Sequence, residues 1–224
     1  MSPEASLQVP AGLVLDLDGT LVDTTYLHTL CWWQALQQFD LYTTMARVHR
    51  AVGLASTPLL DYVVGTGRGH RPDEAILAAH DALFATWRSS VQALPGARPL
   101  LDWCRDQGVT VMIASSSQRK DVEAMMRVLG DPDLDVVSTG DDVEEGKPSP
   151  DVAAHALDLA GLEPHDAMMV GDSVWDVAVA GKLPMQSIGL TCGGTSAAEL
   201  DKAGATVTFA DPWHLLHALQ ASAG

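Results

Sequence analysis

The chain predicts an α/β fold, a doubly wound parallel sheet interrupted near its start by a helical insertion. Three observations lead to that expectation. From residue 97 onward, β-rich apolar runs alternate with helix-like stretches, the pattern that builds a parallel sheet with helices on both faces. A strand pattern near the N-terminus ends in two carboxylates, Asp16 and Asp18, followed by Gly19. Between these two parts, residues 23–94 lack strand patterning.

The first strand leads into the run Leu15, Asp16, Leu17, Asp18, Gly19, Thr20, Leu21. Side chains alternate along a strand, and Gly19 lets the chain turn, so both carboxyl groups gather at the strand's C-terminal tip. Like charges repel there unless a cation or a proton lies between them. That points to a metal site, an acid/base pair, or both.

In the insertion, residues 26–39, 45–52 and 58–64 read as helices. Residues 73–94 form the clearest one, with Ile76, Leu83, Trp87 and Leu94 at helical spacing. The glycine-rich stretch 65–72 follows no strand, so it reads as a flexible loop rather than a dinucleotide fingerprint. The expected division is a discontinuous Rossmann-like core, 1–22 and 95–224, with residues 23–94 as an α-helical cap over the sheet's C-terminal edge.

The remaining strands fall at residues 109–114, 136–138, 167–170, 186–190 and 206–209. Helices follow at 119–129, 150–160, 174–180, 197–203 and from 212. Gly130 with Pro132 and Gly161 mark helix ends, and Pro150 a helix start.

The chain has 224 residues, of which 47% are hydrophobic, enough for a large core and a small second domain. A net charge of −16 opposes a nucleic-acid partner, because phosphate backbones would be repelled. A small anionic substrate stays compatible with that charge, since a bound metal ion inverts the local field. Cys31, Cys104 and Cys192 are widely spaced and suggest neither a disulfide framework nor a zinc cluster. Cys31 and Cys104 read as small core residues. Residues 1–10 show no signal-peptide pattern, and no segment reaches membrane-spanning length. A reducing cytoplasm is the expected compartment, with no membrane partner.

More chemistry-bearing residues stand at strand ends. Ser115 follows the strand at 109–114. Lys147, one of four lysines, enters a helix from a loop. Asp172 and Asp176 follow Gly171. Ligands of open α/β sheets bind outside the C-terminal strand edge, where these residues would meet Asp16 and Asp18.

This set, in this order, resembles the haloacid dehalogenase-like hydrolase superfamily. The matching pieces are Asp16-Leu17-Asp18-Gly19-Thr20-Leu21, Ser115 after an apolar strand, Gly146-Lys147-Pro148, and Gly171-Asp172-Ser173-Val174-Trp175-Asp176. The insertion just after the first strand resembles the small-cap members of the phosphoglycolate phosphatase and β-phosphoglucomutase kind. The resemblance implies a Mg²⁺-dependent phosphatase of a small phosphorylated metabolite, working through an aspartyl-phosphate. Asp16 would be the nucleophile and Asp18 the general acid and base. Ser115 would donate to the phosphoryl oxygens, and Lys147 would offset their charge. Asp16, Asp172 and the Asp18 backbone carbonyl would hold the ion, all hard oxygen ligands, with Asp176 supporting them from behind. Gly19, Thr20, Ser116 and, from the cap, Arg50 are the expected substrate contacts.

Other residues have plainer readings. Arg47, His49 and Arg50 form a small basic cluster, either solvated or set against an anionic end of the substrate. His28, His155, His165, His214 and His217 match no ligand spacing and read as structural or exposed. The tryptophans read as packing residues, Ser116 or Ser117 as a helix cap, and Asp141, Asp142, Glu144 and Glu145 as a solvated face. A sugar-phosphate mutase is the rival within the superfamily. It is weakened by Ser56 and Thr57, which stand past Gly53 where such members carry an arginine. Asp18 opposes a dehalogenase, and a cap without lysine opposes a phosphonate hydrolase. A non-enzymatic phosphate-sensing or interaction protein on the same fold is the rival from another class.

Overall fold

A computed structural model describes residues 7–67 and 73–223. The strands are β1 (Gly12–Leu15), β2 (Thr110–Ala114), β3 (Val136–Ser138), β4 (Ala167–Gly171), β5 (Gln186–Leu190) and β6 (Val207–Phe209). They form one parallel sheet in the order β3-β2-β1-β4-β5-β6. The chain winds outward from β1 to β3, then returns to the other side of β1 with β4. That reversal is the topological switch point, where the loops on either side part and leave a crevice.

β1 is fully buried along its length because helices cover both faces of the sheet. Leu13 and Leu15 point into a core shared with Leu100, Leu101 and Leu216, while Val14 points into a second core with Val152, Ala156 and Val179. This alternation follows from the two-residue period of a strand. Burying such a side chain contributes roughly 1.5–3 kcal/mol, so shifting β1 by one residue is strongly disfavoured and the position of its tip is set.

Between β1 and β2 the chain forms α1 (Thr25–Gln38), α2 (Met45–His49), α3 (Ser56–Val64) and α4 (Asp73–Ala85). This inserted helical cap has its own core of Trp32, Leu36, Val48, Leu60 and Ile76. The sheet is flanked by α5 (Ala97–Gln107), α6 (Arg119–Val128), α7 (Asp151–Ala160), α8 (Val174–Lys182), α9 (Ala197–Ala203) and α10 (Pro212–Ala223). Cys31 and Cys104 are buried, and that burial pushes their thiols up to about 11 and about 12.

Two cap expectations are corrected. The helix expected over 73–94 stops at Ala85. A short 3-10 turn follows, and the chain then runs back beside the end of the first loop. Asp23 donates to the Gln92 carbonyl at 2.9 Å and Leu94 to the Leu21 carbonyl at 2.9 Å. The apolar character of Val91 and Leu94 thus serves a return crossing into the core. The helix expected over 45–52 ends at His49, and Ala51 and Val52 are buried in a turn. The loop expected at 65–72 falls largely outside the described residues, which omit 68–72.

Candidate active site

Backbone pairing continues one residue past β1: the Asp16 amide donates to the Val170 carbonyl at 2.9 Å. This holds the buried Asp16 over the tip of β4. The loop then closes on itself, with the Gly19 amide on the Val22 carbonyl at 2.8 Å. Gly19 has φ +81°, and a Cβ there would stand 2.1 Å from Thr25 Oγ1 and 2.6 Å from Asp172 Oδ2. Only glycine satisfies both the turn and the close approach. The Thr20 hydroxyl lies 3.3 Å from Asp16 Oδ2 and 3.3 Å from Asp172 Oδ1.

Asp172, at the end of β4, is followed by a helix start. Ser173 caps α8, and Asp176 reaches back, its Oδ2 accepting from the Ser173 amide at 3.1 Å and from its hydroxyl at 2.7 Å. This is the reciprocal arrangement of a capping box. A Cβ at position 171 would lie 2.2 Å from the Asp176 carboxyl carbon, so Gly171 makes room for that carboxylate. Asp176 is thereby held within a hydrogen-bonded frame, its Oδ1 2.8 Å from Lys147 Nζ.

Lys147 is 1% exposed, donates to Asp16 Oδ1 and forms an ion pair with Asp176 Oδ1. Its loop is fixed from two sides. Its amide donates to Ser116 Oγ at 3.1 Å, and its carbonyl accepts from the amide of Ala55 in the cap at 2.8 Å. Burial works against the ammonium, but Asp16 and Asp176 outweigh it and hold Lys147 above its ordinary range.

Asp16, Asp172 and Asp176 each present an oxygen within 4.8 Å of the others. Three buried carboxylates against one ammonium leave a surplus of negative charge. Burial pushes Asp16 up to about 7, against the pull of Lys147 and with Asp176 and Asp18 adding to the rise. Asp172 is pushed well up by burial and then by Asp16 and Asp176. Carboxylates that cannot all ionise side by side, offering only hard oxygens, fit a divalent cation such as Mg²⁺. Asp16 and Asp172 are therefore brought together as expected. Asp176 stands as close as a ligand would.

Asp18 turns the other way. Its Oδ1 accepts from Thr24 Oγ1 at 2.7 Å and faces His28 Nε2 at 3.1 Å, while its Oδ2 accepts from Ser117 Oγ at 2.8 Å. Burial alone would raise its pKa, but His28, Thr24 and Ser117 together hold it at about 2. Asp16 and Asp18, two residues apart, thus occupy opposite electrostatic settings. Ser115 is buried and its Oγ accepts from the Ser117 amide at 3.1 Å.

A cavity of about 90 Å³ joins these groups, with Asp16, Asp18 and Ser115 on the sheet side and Trp32, Leu54 and Leu77 on the cap side. His28 is part of it, which corrects the structural-or-exposed reading of that residue. The His28 Nδ1 lies 3.0 Å from His80 Nε2, and the His80 Nδ1 lies 3.1 Å from Asp81 Oδ1. His28 stacks on Phe84 at 4.0 Å and His80 on Trp32 at 4.2 Å between ring centres. Ser117 is likewise corrected: it serves Asp18, and Gln118 precedes α6 without a side-chain cap. A signal for His28 was present in the sequence. Thr24, just before α1, and His28 and Trp32 within it recur every four residues and so share one face.

The basic cluster lies elsewhere. Arg47 donates to the Tyr62 carbonyl, His49 Nε2 lies 3.0 Å from the Gly193 carbonyl, and Arg50 is 3.4 Å from Glu199. Arg50 lines a neighbouring cavity with Trp175 and Glu199, not the one that holds Asp16 and Asp18. That neighbouring cavity reaches the carboxylate cluster at Asp172.

Comparison with known proteins places this geometry among relatives. The family model for haloacid dehalogenase-like hydrolases matches residues 10–183. A phosphoglycolate phosphatase of Rhodospirillum rubrum is 32% identical over 183 residues, 77% of this chain and 76% of that protein. Hexitol phosphatase A of Escherichia coli is 29% identical over 164 residues, 72% of this chain and 74% of that protein. The crystal structure of a hydrolase from Pseudomonas syringae superposes with a TM-score of 0.89 at 28% identity, over 95% of this chain and 99% of that one.

Proposed function

The chain belongs to the haloacid dehalogenase-like hydrolases and is a phosphatase of phosphate monoesters, and from that premise we propose that it acts on a small phosphorylated metabolite through an aspartyl-phosphate on Asp16. One observation carries the proposal: Asp16 and Asp18 face one cavity with opposite partners, Asp16 among Lys147, Asp172 and Asp176, Asp18 among Thr24, His28 and Ser117.

In this reading the Asp16 carboxylate attacks phosphorus while Asp18, which its partners keep ionised in the free protein, takes the proton that the ester brings on a phosphoryl oxygen and passes it to the departing ester oxygen. Asp18, again a carboxylate, takes a proton from water, and the water oxygen attacks the phosphorus of the aspartyl-phosphate. Phosphate leaves and Asp16 is regenerated. Ser115 donates to the phosphoryl oxygens, Ser116 borders the same space, and Gly19 and Thr20 lie in the loop behind it, the Thr20 hydroxyl 3.3 Å from Asp16. Lys147 offsets the phosphoryl charge at the atom where it meets Asp16. Asp16, Asp172 and the Asp18 carbonyl would hold Mg²⁺, with Asp176 adjoining, and the bound ion would supply positive charge against the transferring phosphoryl. Residues 1–22 and 95–224 act as the core, and residues 23–94 as the cap that excludes water.

Phosphate-monoester hydrolysis is slow enough that enzymes accelerate it by up to ~10²¹-fold. No single group supplies that, so positioning, ammonium and cation act together. The test is phosphate release from a panel of monoesters with Mg²⁺ and with chelator, paired with mass spectrometry of rapidly quenched enzyme. A phosphoryl adduct on Asp16 is expected. Turnover without any adduct, undiminished in Asp16→Asn, would sink the proposal.

A further inference from the structure

We infer that the substrate carries no anionic group besides its phosphate, so that the alcohol released is neutral or cationic. The inference rests on the phosphatase reading and adds a substrate class to it. Among the described residues, the lining of the catalytic cavity holds no lysine or arginine. Lys147 lies beneath that lining, engaged with Asp16 and Asp176. Beyond Asp16 and Asp18, the carboxylates of the lining are Asp81 and Asp121, set among apolar residues such as Trp32 and Leu77 and neutral polar ones such as Ser56 and Gln118. The cations next to those two carboxylates are already spent. Lys120 Nζ stands 3.0 Å from Asp81, and Arg88 pairs with Asp121. Burial lowers the pKa of His80, so it stands in this lining as a neutral ring.

The way out carries the same sign. The cavity shares Leu54, Ser56, Ser116 and Gln118 with a groove of about 900 Å³. Asp141, Glu144 and Glu145 line that groove, and its lysine, Lys182, donates to the Pro148 carbonyl at 2.6 Å. A carboxylate or second phosphate on the leaving group would meet no lysine or arginine among the described residues that line the cavity, and then a groove whose carboxylates outnumber its one lysine. A hydroxyl or an ammonium would find acceptors instead. His49 and Arg50 of the basic cluster line a second cavity, which meets the site at Asp172 and not at Asp18, and Arg50 is already paired with Glu199.

Matched esters test this directly. Phosphoglycolate, 2-hydroxyethyl phosphate and phosphoethanolamine share a two-carbon frame and differ in the charge at its far end. The pair 3-phosphoglycerate and glycerol 3-phosphate repeats the contrast on three carbons. Wild-type kcat/KM is measured for each with Mg²⁺, and p-nitrophenyl phosphate serves as the control for phosphatase chemistry. The neutral and cationic esters are expected to exceed their carboxylate counterparts by about tenfold or more. The Asp81→Asn, Asp121→Asn double variant is expected to narrow that gap several-fold. Carboxylate esters turned over as well as their neutral partners, or a gap that the double variant leaves unchanged, would overturn the inference while p-nitrophenyl phosphate hydrolysis kept the phosphatase reading standing. Hydrolysis of no ester, the control included, would remove that reading and the inference with it.

Discussion

His28 of α1 lies with Nε2 3.1 Å from Asp18 Oδ1 and with Nδ1 3.0 Å from Nε2 of His80 on α4. One imidazole therefore ties the proposed acid/base carboxylate to two helices of the cap. His28→Ala should lower kcat by roughly 10- to 100-fold, at or below the ~10²-fold low end of what a proton-transfer group contributes because His28 acts through Asp18, with KM changed far less. His28→Gln keeps a donor toward Asp18 and should retain more activity. Steady-state kinetics and a melting curve for each variant separate this from plain destabilisation. If both substitutions lower Tm equally and leave kcat alone, His28 is only a packing residue.

Much of this architecture was legible in the chain, and what was not has a physical reason. Strands such as Thr110–Ala114 are buried on both faces of the sheet, so they read as continuous apolar runs. Asp16, Lys147 and Asp172 stand at strand tips or in the loops beside them, and parallel strands deliver such residues to one edge whatever the loop detail. For His28 the spacing with Thr24 and Trp32 marks a shared helix face, but not how α1 leans that face over the edge, so the spacing alone does not set His28 beside Asp18. Which cavity Arg50 lines was not legible for the same reason: a short helix presents either face until its packing is known. Residues 86–94 misled because Trp87 and Leu94 extend the helical spacing of Ile76 and Leu83, while the backbone is drawn off to pair with Leu21 and Asp23.

Lys147 is bound to Asp16 and Asp176 in a fully buried site. Removing one partner of a buried ion network leaves uncompensated charge, at a cost of about 3–5 kcal/mol. Lys147→Met should therefore lower Tm in metal-free buffer by several degrees, at roughly 2–4 °C per kcal/mol for a chain of this size. Asp16→Asn should instead leave stability near or above wild type, because it relieves the carboxylate crowding, while reducing kcat by roughly 10⁴-fold or more. Calorimetry beside turnover checks both. A Lys147→Met protein as stable as wild type would contradict the charge accounting.

The crowding of Asp16, Asp172 and Asp176 within 4.8 Å predicts a stability effect of the cation that does not depend on substrate. A ligand present at about 100 times its Kd, binding only the folded chain, stabilises it by about 2.7 kcal/mol. Mg²⁺ added to chelator-treated protein should raise Tm accordingly. Asp172→Asn should lose most of that rise, and Asp142→Asn, whose carboxylate bonds to Thr139 and Arg119 away from the cluster, should keep it. An equal rise in all three would mean that the ion binds elsewhere.

His80 supplies a pH dependence whose direction is set by burial. It is stacked on Trp32, nearly buried, and its pKa is lowered from the ordinary 6.5, desolvation outweighing the pull of Asp81. The unfolded chain therefore takes up a proton at this residue before the folded chain does. Stability from a neutral His80 is fully present above pH 6.5 and is lost as pH falls below it toward the lower folded value. Asp81 does not confuse this window. Burial would raise it, but His80 and Lys120 outweigh that and hold it below its ordinary 3.8, so it stays ionised. Asp16 and Asp172 do titrate upward here, so the comparison belongs in saturating Mg²⁺. Melting curves from pH 7.5 to 5.5 should show Tm falling in wild type and a shallower fall in His80→Asn, which keeps a polar side chain without a titrating ring. Parallel curves for the two proteins would mean that His80 is not the group whose protonation loosens the cap.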